Sequence, residues 1–368
     1  MRFSFLYLNN FRNYRRLQLQ IPEGASLFIG KNAQGKTNLL EACYYVSSLN
    51  SPRSEKEADL AYWGESFFTV GARLEDDGTA NTVEIQTQVI PSVRRRIRLN
   101  DRPAKRQELL RVCPCVYFSP DDLYIVKGSS SVRRSFMDSL LSRQDPLYSR
   151  QLSRYNSTVS RRNMALKRAN QEPSWAKSLD SIDDLLVNIG SEIIHKRFLL
   201  TEKLDEMVKA SYKFMSMDGC EIDYVSTIGE VPDGIDSIRE QFSVRLKSAS
   251  KEERARGITL IGPHRDEMLL SFDGKTFRYF GSQGQQRSVV LGLKMAEARI
   301  LEGTFNTKPA LLLDDVLSEL DSDRRTKVIS LCDLGYQILM TSTETAGVEE
   351  SRFSKFIVEK GTVCPKLP

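Results

Sequence analysis

Three short segments, far apart in the chain, combine residue types that act together on phosphate. Gly30-Lys31-Asn32-Ala33-Gln34-Gly35-Lys36-Thr37 matches the pattern G-x-x-x-x-G-K-[ST]. Its glycines let backbone N–H groups wrap phosphates, Lys36 can reach the β- and γ-phosphates, and the Thr37 hydroxyl can ligate Mg²⁺. Ser282-Gln283-Gly284-Gln285-Gln286 is a Ser/Gly/Gln turn at a helix start, which is either an anion site or an ordinary cap. Ala310-Leu311-Leu312-Leu313-Asp314-Asp315 is an apolar run ending in two carboxylates. That is the form of a buried strand delivering acid groups to a metal–phosphate site. The chemistry implied is binding of a nucleoside triphosphate.

Strands and helices must hold these groups. Leu27-Phe28-Ile29 has strand character and Asn38-Leu39-Leu40-Glu41-Ala42 opens a helix, the strand–loop–helix setting that the first motif requires. Residues 1 to about 120 read as β-rich, with Thr82–Val89 alternating and Val116-Tyr117-Phe118 a short apolar strand. From about 123 to 257 helical spacing takes over, in Val132–Leu141, Leu179–Ile194 and Glu192–Lys213. Gly and Pro punctuate Asp218–Asp236. Strand character returns at Ile258–Ile261 and Met268–Phe272, the latter turning at Asp273-Gly274 into Phe277–Phe280 as a hairpin. Val289, Leu293, Ala296 and Ile300 give the next helix a buried face, with Gly303 as its stop. Gln337–Met340 is a further strand.

Composition bounds the class. With 40% hydrophobic and 27% charged residues in 368, the chain reads as soluble, with core enough for two or three domains. No apolar run approaches the roughly 18 residues of a membrane span, and Met1–Leu6 lacks the pattern of a signal peptide. Six scattered cysteines, only Cys113 and Cys115 close together, read as reduced thiols of a cytoplasmic protein without metal or disulfide. Two histidines, His195 and His264, leave little room for imidazole catalysis. The segment Gly262-Pro263-His264-Arg265-Asp266 reads as a structural turn, with a DNA or coupling contact as its alternative.

The net charge of +5 hides two arginine-rich runs. Arg143, Arg150, Arg154, Arg161, Arg162, Lys167 and Arg168 face one acid, Asp145; Arg94, Arg95, Arg96, Arg98, Arg102, Lys105 and Arg106 face Asp101. Each is a solvated face or a polyanion surface. In a nucleotide-binding chain the pair points to polyanion, with Arg150, Arg154, Arg161, Arg162, Lys167, Arg168 and Arg94, Arg95, Arg96 as DNA contacts. Tyr148 and Tyr155, inside the first run, are base-stacking or packing residues.

The order of the motifs resembles the SMC-like ATP-binding cassette ATPases, and within them the RecF family of bacterial recombination-repair proteins. Further segments that carry the resemblance are Leu8–Tyr14, Phe118–Leu123, Arg133–Asp138, Gly262–Asp266 and Leu313–Asp321. It implies an α/β fold, a two-lobed cassette head (1–122 and 258–368) with a mainly helical arm (123–257) inserted in the chain. It implies ATP and Mg²⁺ as cofactors, the metal on Thr37 and Asp314, with Asp315 orienting the attacking water. Asp315 stands where most relatives have Glu, so hydrolysis is expected to be slow. Gly30–Asn38 with Arg12 and Asn13 would bind the nucleotide. Ser282–Gln286 would close on the γ-phosphate held by Lys36 of a second copy, giving an ATP-dependent homodimer. Asp121 and Asp122 stand near the expected Q-loop, and Thr341 or Thr343 where a switch His is usual. The resemblance further implies binding to duplex DNA and to double-strand/single-strand junctions, weak DNA-dependent ATPase activity, and work with RecR, RecO and RecA. A motor or transporter ATPase is the other class, for which the sequence supplies neither a helicase motif set nor a membrane segment.

Overall fold

A computed structural model describes every residue except 55, 77, 170–173, 215–218, 317–321, 344–351 and 367–368. Contacts divide the chain into two units: Met1–Asp122 with Glu297–Pro368, and Leu123–Ala296. The α/β class expected from sequence is what is found.

The first unit has two six-stranded sheets, their strands numbered along the chain. One is antiparallel, in the order β2 (Tyr14–Gln20), β1 (Arg2–Phe11), β4 (Phe67–Asp76), β5 (Thr79–Gln88), β6 (Arg94–Leu99), β7 (Arg102–Pro103). Alternation turns Leu6, Leu8, Phe68, Val70, Val83 and Ile85 into one core with Leu39, Leu40 and Val46 of helix α1 (Lys36–Ser48). The other sheet runs β15 (Thr362–Pro365), β14 (Phe353–Glu359), β3 (Ala25–Ile29), β13 (Ile338–Ser342), β12 (Ala310–Asp314), β8 (Cys115–Phe118). From β14 to β8 it is parallel, and β3 and β12 are buried along their whole length, as continuous apolar runs in parallel sheets should be. Helices α2 (Arg106–Val112) and α10 (Ser322–Ile329) complete the unit.

The second unit is mainly helical: α3 (Tyr124–Lys127), α4 (Ser130–Gln144), α5 (Pro146–Ala169), α6 (Ser174–Phe214), α7 (Ile235–Arg256) and α8 (Phe277–Phe280), with α9 (Gln283–Phe305) opening in it. Asp145 starts α5, its Oδ1 accepting the Leu147 N–H at 2.8 Å, and Pro146 takes the first helical position, where no donor is needed. Three strands, β11 (Lys275–Thr276), β10 (Glu267–Phe272) and β9 (Glu221–Val225), form a small antiparallel sheet.

Four expectations differ from this structure. Ile258–Ile261 is not a strand: the Thr259 N–H donates to Asn163 Oδ1 and the Leu260 N–H to Glu253 Oε1, both at 2.7 Å, so side chains take the donors a ladder would use. Phe277–Phe280 is a helical turn, the hairpin ending after Thr276. Helix α9 passes Gly303 and stops at Asn306, which takes the left-handed conformation at φ 55°. Finally, residues 258–296 group with the helical unit instead of returning to the head at 258, because β10 pairs with β9. β9 lies in the stretch that Gly and Pro punctuate, where no strand is expected from the sequence.

His264 packs in this unit as a neutral ring. Nε2 faces the Thr259 carbonyl at 3.1 Å, which only accepts, so Nε2 carries the proton and Nδ1 accepts from the Tyr155 hydroxyl at 2.8 Å. Burial lowers its pKa to about 4. The unfolded chain therefore binds the extra proton first, and stability present above about pH 6.5 is lost as pH falls toward 4, by up to about 3 kcal/mol. Thermal unfolding between pH 7 and 5 should show this slope, and His264→Gln should flatten it.

Candidate functional site

The parallel register builds the site. Asp314 lies beside Thr341, and Thr341 beside Phe28, so the carboxyl ends of β12, β13 and β3 meet where the phosphate loop begins. Crevices at such strand ends are where open α/β sheets bind ligands. Gly30 follows β3 with its N–H on the Ser342 carbonyl at 3.3 Å, and α1 starts at Lys36 with its amides toward the loop. Ala33 (φ 64°) and Gly35 (φ 111°) both take left-handed conformations, the alternation that points successive N–H groups into a concavity for an anion. Gly35 has no substitute: a Cβ there would run into the Asn13 side chain.

The loop is braced from outside. Asn13 Nδ2 donates to the Gln34 carbonyl at 2.9 Å and its Oδ1 accepts from Asn38 Nδ2 at 2.8 Å. Gln34 Oε1 accepts the Lys360 N–H at 2.8 Å. Arg12 grips the buried Glu41 through two contacts of 2.6 and 2.8 Å, and also donates to the Asp59 carbonyl. Arg12 thus braces α1. Glu41, which also accepts from Ser51 Oγ, was not singled out in the sequence.

The polar centre is Asp314. Its Oδ1 accepts from Thr37 Oγ1 and Thr341 Oγ1, each at 2.8 Å, and Oδ2 accepts from the Tyr117 hydroxyl at 2.9 Å. Two hydroxyls and a carboxylate form an all-oxygen set suited to a hard cation, so Thr37 and Asp314 fit Mg²⁺. Asp315 follows at φ 53°, a conformation Asp tolerates better than most residues, and its N–H donates to Thr341 Oγ1 at 2.9 Å. Of Thr341 and Thr343, Thr341 is therefore the residue at the carboxylates. Buried Lys36 donates to the Gly30 and Lys31 carbonyls at 2.6 and 2.9 Å. Burial lowers its pKa, opposed by the charges of Asp315 and Asp314, so the site presents a poorly hydrated ammonium to a phosphate. Tyr117 was missed. Its signal was the strand Val116–Phe118, whose register beside β12 no single sequence reveals.

Ser282–Gln286 belongs to the other unit. Ser282 Oγ accepts the Gln285 N–H at 3.2 Å while Gln285 Oε1 accepts the Ser282 N–H at 2.8 Å, a reciprocal cap on α9. Ser282 is exposed and its O–H proton stays available to a phosphate. Gln286 is buried, its amide on the Phe277 carbonyl at 2.9 Å, so it secures the turn and is corrected from the nucleotide-facing set. Asp122 Oδ2 accepts the Ser119 N–H at 2.6 Å. The end of the Leu313–Asp321 segment, from residue 317 on, lies outside the described residues.

The two basic runs divide by face. On α5, Arg150, Arg154, Arg161, Lys167 and Arg168 are exposed. Arg162 is not: 1% exposed, it pairs with Asp183 at 2.6 Å and with Glu253 at 2.7 Å. It is corrected from DNA contact to core ion pair. Tyr148, Tyr155 and Arg162 recur every seven residues on the buried stripe, whereas Arg154, Arg161 and Arg168 recur on the exposed one, a phase the sequence did contain. The tyrosines are accordingly packing residues. On β6, Arg94 and Arg96 are exposed on one side, while Arg95 turns to the other and pairs with Glu57. Among the described residues no cluster of metal-binding side chains is found, and Cys113 and Cys115 are buried thiols in contact at 3.9 Å.

Comparisons with known proteins bear on the family and fold of the chain as a whole. The family model described as RecF/RecN/SMC N terminal domain matches residues 3–361. The chain is 36% identical over 353 residues to a protein of Natranaerobius thermophilus named DNA replication and repair protein RecF, covering 93% of this chain and 91% of that one. A protein of the same name from Bacillus cytotoxicus is 34% identical, covering 98% and 97%. Among solved structures, the recombination mediator protein RecF-ATPrS in the RecFOR pathway superposes with TM-score 0.91 at 32% identity, covering 100% of this chain and 98% of that one. An Smc head domain from Pyrococcus furiosus, at 16% identity and TM-score 0.53 over 99% and 95%, shares the fold.

Proposed function

This chain belongs to the RecF/RecN/SMC N-terminal domain family, and from that membership we propose that it is an ATP-gated DNA-binding ATPase of recombinational repair. The observation that carries the reading is the Asp314 carboxylate drawn onto Thr37 of the phosphate loop and Thr341 of the neighbouring strand. Lys36 and the Gly30–Asn38 amides bind the triphosphate. Thr37 and Asp314 would hold Mg²⁺, which would supply neutralisation of phosphate charge there. Asp315 holds the attacking water; its side chain is one methylene shorter than Glu, so turnover is slow. The first unit acts as head and the helical unit as arm. Two chains pair in ATP, with Ser282 of each donating to the γ-phosphate on the other, and hydrolysis releases the pair. The exposed arginines of α5 bind duplex phosphates, and the dimer marks double-strand/single-strand junctions where, with RecR and RecO, it helps load RecA.

The test is assembly state. Asp315→Asn keeps the metal ligands but loses water activation. It should elute as a dimer with ATP and hydrolyse at well below the parent rate. Ser282→Arg should bind ATP as a monomer. A monomeric Asp315→Asn, or a dimeric Ser282→Arg, contradicts the reading.

A further inference from the structure

The antiparallel sheet of the first unit buries one face and exposes the other, and the exposed face carries a groove that the ATPase site does not use. The groove, of about 490 Å³, is lined by Phe67, Thr69, Gln86, Gln88, Arg94 and Arg96 among others. The register explains the grouping. Phe67, Gln88 and Arg94 form one cross-strand row, and Thr69, Gln86 and Arg96 the next. These residues alternate with the buried Phe68, Val70 and Ile85, so they share the outward face, where Phe67, Gln86, Gln88, Arg94 and Arg96 are exposed and Thr69 is the buried floor. Phe67 is 43% exposed, an aromatic ring held by a sheet where an apolar side chain on that face gains nothing from the core. Arg95 also borders the groove but is paired with Glu57, so Arg94 and Arg96, about 7 Å apart along the strand, are the cations it offers a ligand. β7 pairs with β6 only at Arg98 and Leu99, so the edge beside Arg94–Arg96 has no further strand among the described residues.

An exposed ring, amide side chains and a pair of arginines in one groove is the chemistry that binds unpaired bases and their phosphates. Rings stack on the face of a base, arginines follow the sugar–phosphate chain, and amides meet base edges. A duplex, whose bases are stacked inside, offers a ring nothing to stack on. We propose that this sheet face is a binding site for single-stranded DNA, separate from the arginine stripe on α5 that meets duplex phosphates. The proposal rests on the DNA-binding reading above and adds to it which surface takes the unpaired strand. A base stacks on Phe67, Arg94 and Arg96 hold the flanking phosphates, and Gln86 and Gln88 contact base edges. Such stacking is tolerant of sequence, in keeping with a protein that recognises a structure.

Fluorescence anisotropy with labelled oligo-dT and with a blunt duplex tests this in the full-length protein. Phe67→Ala should weaken oligo-dT binding about tenfold or more and leave duplex binding unchanged. Phe67→Trp should restore the oligo-dT affinity, which a merely structural loss at this position would not allow. Arg94→Gln with Arg96→Gln should lower the oligo-dT log–log salt slope by about 1.4, at about 0.7 per phosphate contact. Oligo-dT binding that survives Phe67→Ala, or that falls in step with duplex binding, overturns the proposal. Parent protein that binds duplex but no oligo-dT overturns it while sparing the DNA-binding reading; parent protein that binds neither overturns both.

Discussion

Lys36→Met should lower ATP affinity by roughly 30- to 5000-fold while leaving the unliganded protein as stable as its parent or more so. The two halves have one cause. The Lys36 ammonium is buried against the Gly30 and Lys31 carbonyls, and burial lowers its pKa against the opposing charges of Asp315 and Asp314. Removing an incompletely compensated charge from such a place costs the empty fold little, and packing a thioether chain there can stabilise it. With a triphosphate in place the sign reverses, because truncating one partner of a buried charge pair costs about 2–5 kcal/mol. Lys36→Arg keeps the charge but spreads it over a planar fork, so it should retain binding and hydrolyse poorly. Calorimetric titration with ATP and a melting curve without it measure the two halves. Normal turnover in Lys36→Met would remove Gly30–Thr37 from the nucleotide site.

The contrast between that site and the rest of the chain shows what one sequence can disclose. Gly30–Thr37 and Leu311–Asp315 were legible because their chemistry is written in consecutive residues, with a left-handed loop that needs Gly35 and a strand buried on both faces. Their meeting was legible only by resemblance. Nothing local to Asp314 says that β13 and β8 flank its strand, so Thr341 was placed by analogy and Tyr117 was not placed at all. Strand β9 escaped notice because Glu221–Val225 sits among turn residues and is a strand by virtue of β10, 42 residues on at the Glu267–Val225 pairing. Ile258–Ile261 failed in the opposite direction: its residues favour a strand, but Asn163 and Glu253 take the backbone donors first. Propensity yielded to hydrogen-bond supply in both cases. Charge counting misled for a related reason. Arg161 and Arg162 are adjacent in sequence but about 100° apart around a helix, and the burial of Tyr148 and Tyr155 decides which of them is wet.

That last distinction yields a large and divided effect. Arg162→Met should cost about 3–5 kcal/mol, since it strands the Glu253 carboxylate, fully buried, with Asp183 nearby. For a unit of this size the melting temperature should fall by roughly 10 °C. Duplex binding measured well below that melting point should keep the parent's salt slope, because Arg162 reaches no phosphate. Arg161→Glu should do the reverse. Its side chain is exposed on the stripe with Arg154 and Arg168, so the fold should melt as before. Duplex affinity should drop on every sequence alike, and the log–log salt slope should fall by about 0.9 for each phosphate no longer neutralised. A joint change of both residues would confuse a collapsing arm with a missing cation, so the singles must be compared. If Arg161→Glu leaves the slope untouched while Arg94→Glu with Arg96→Glu flattens it, the duplex runs over the head sheet and the α5 stripe is a solvated face.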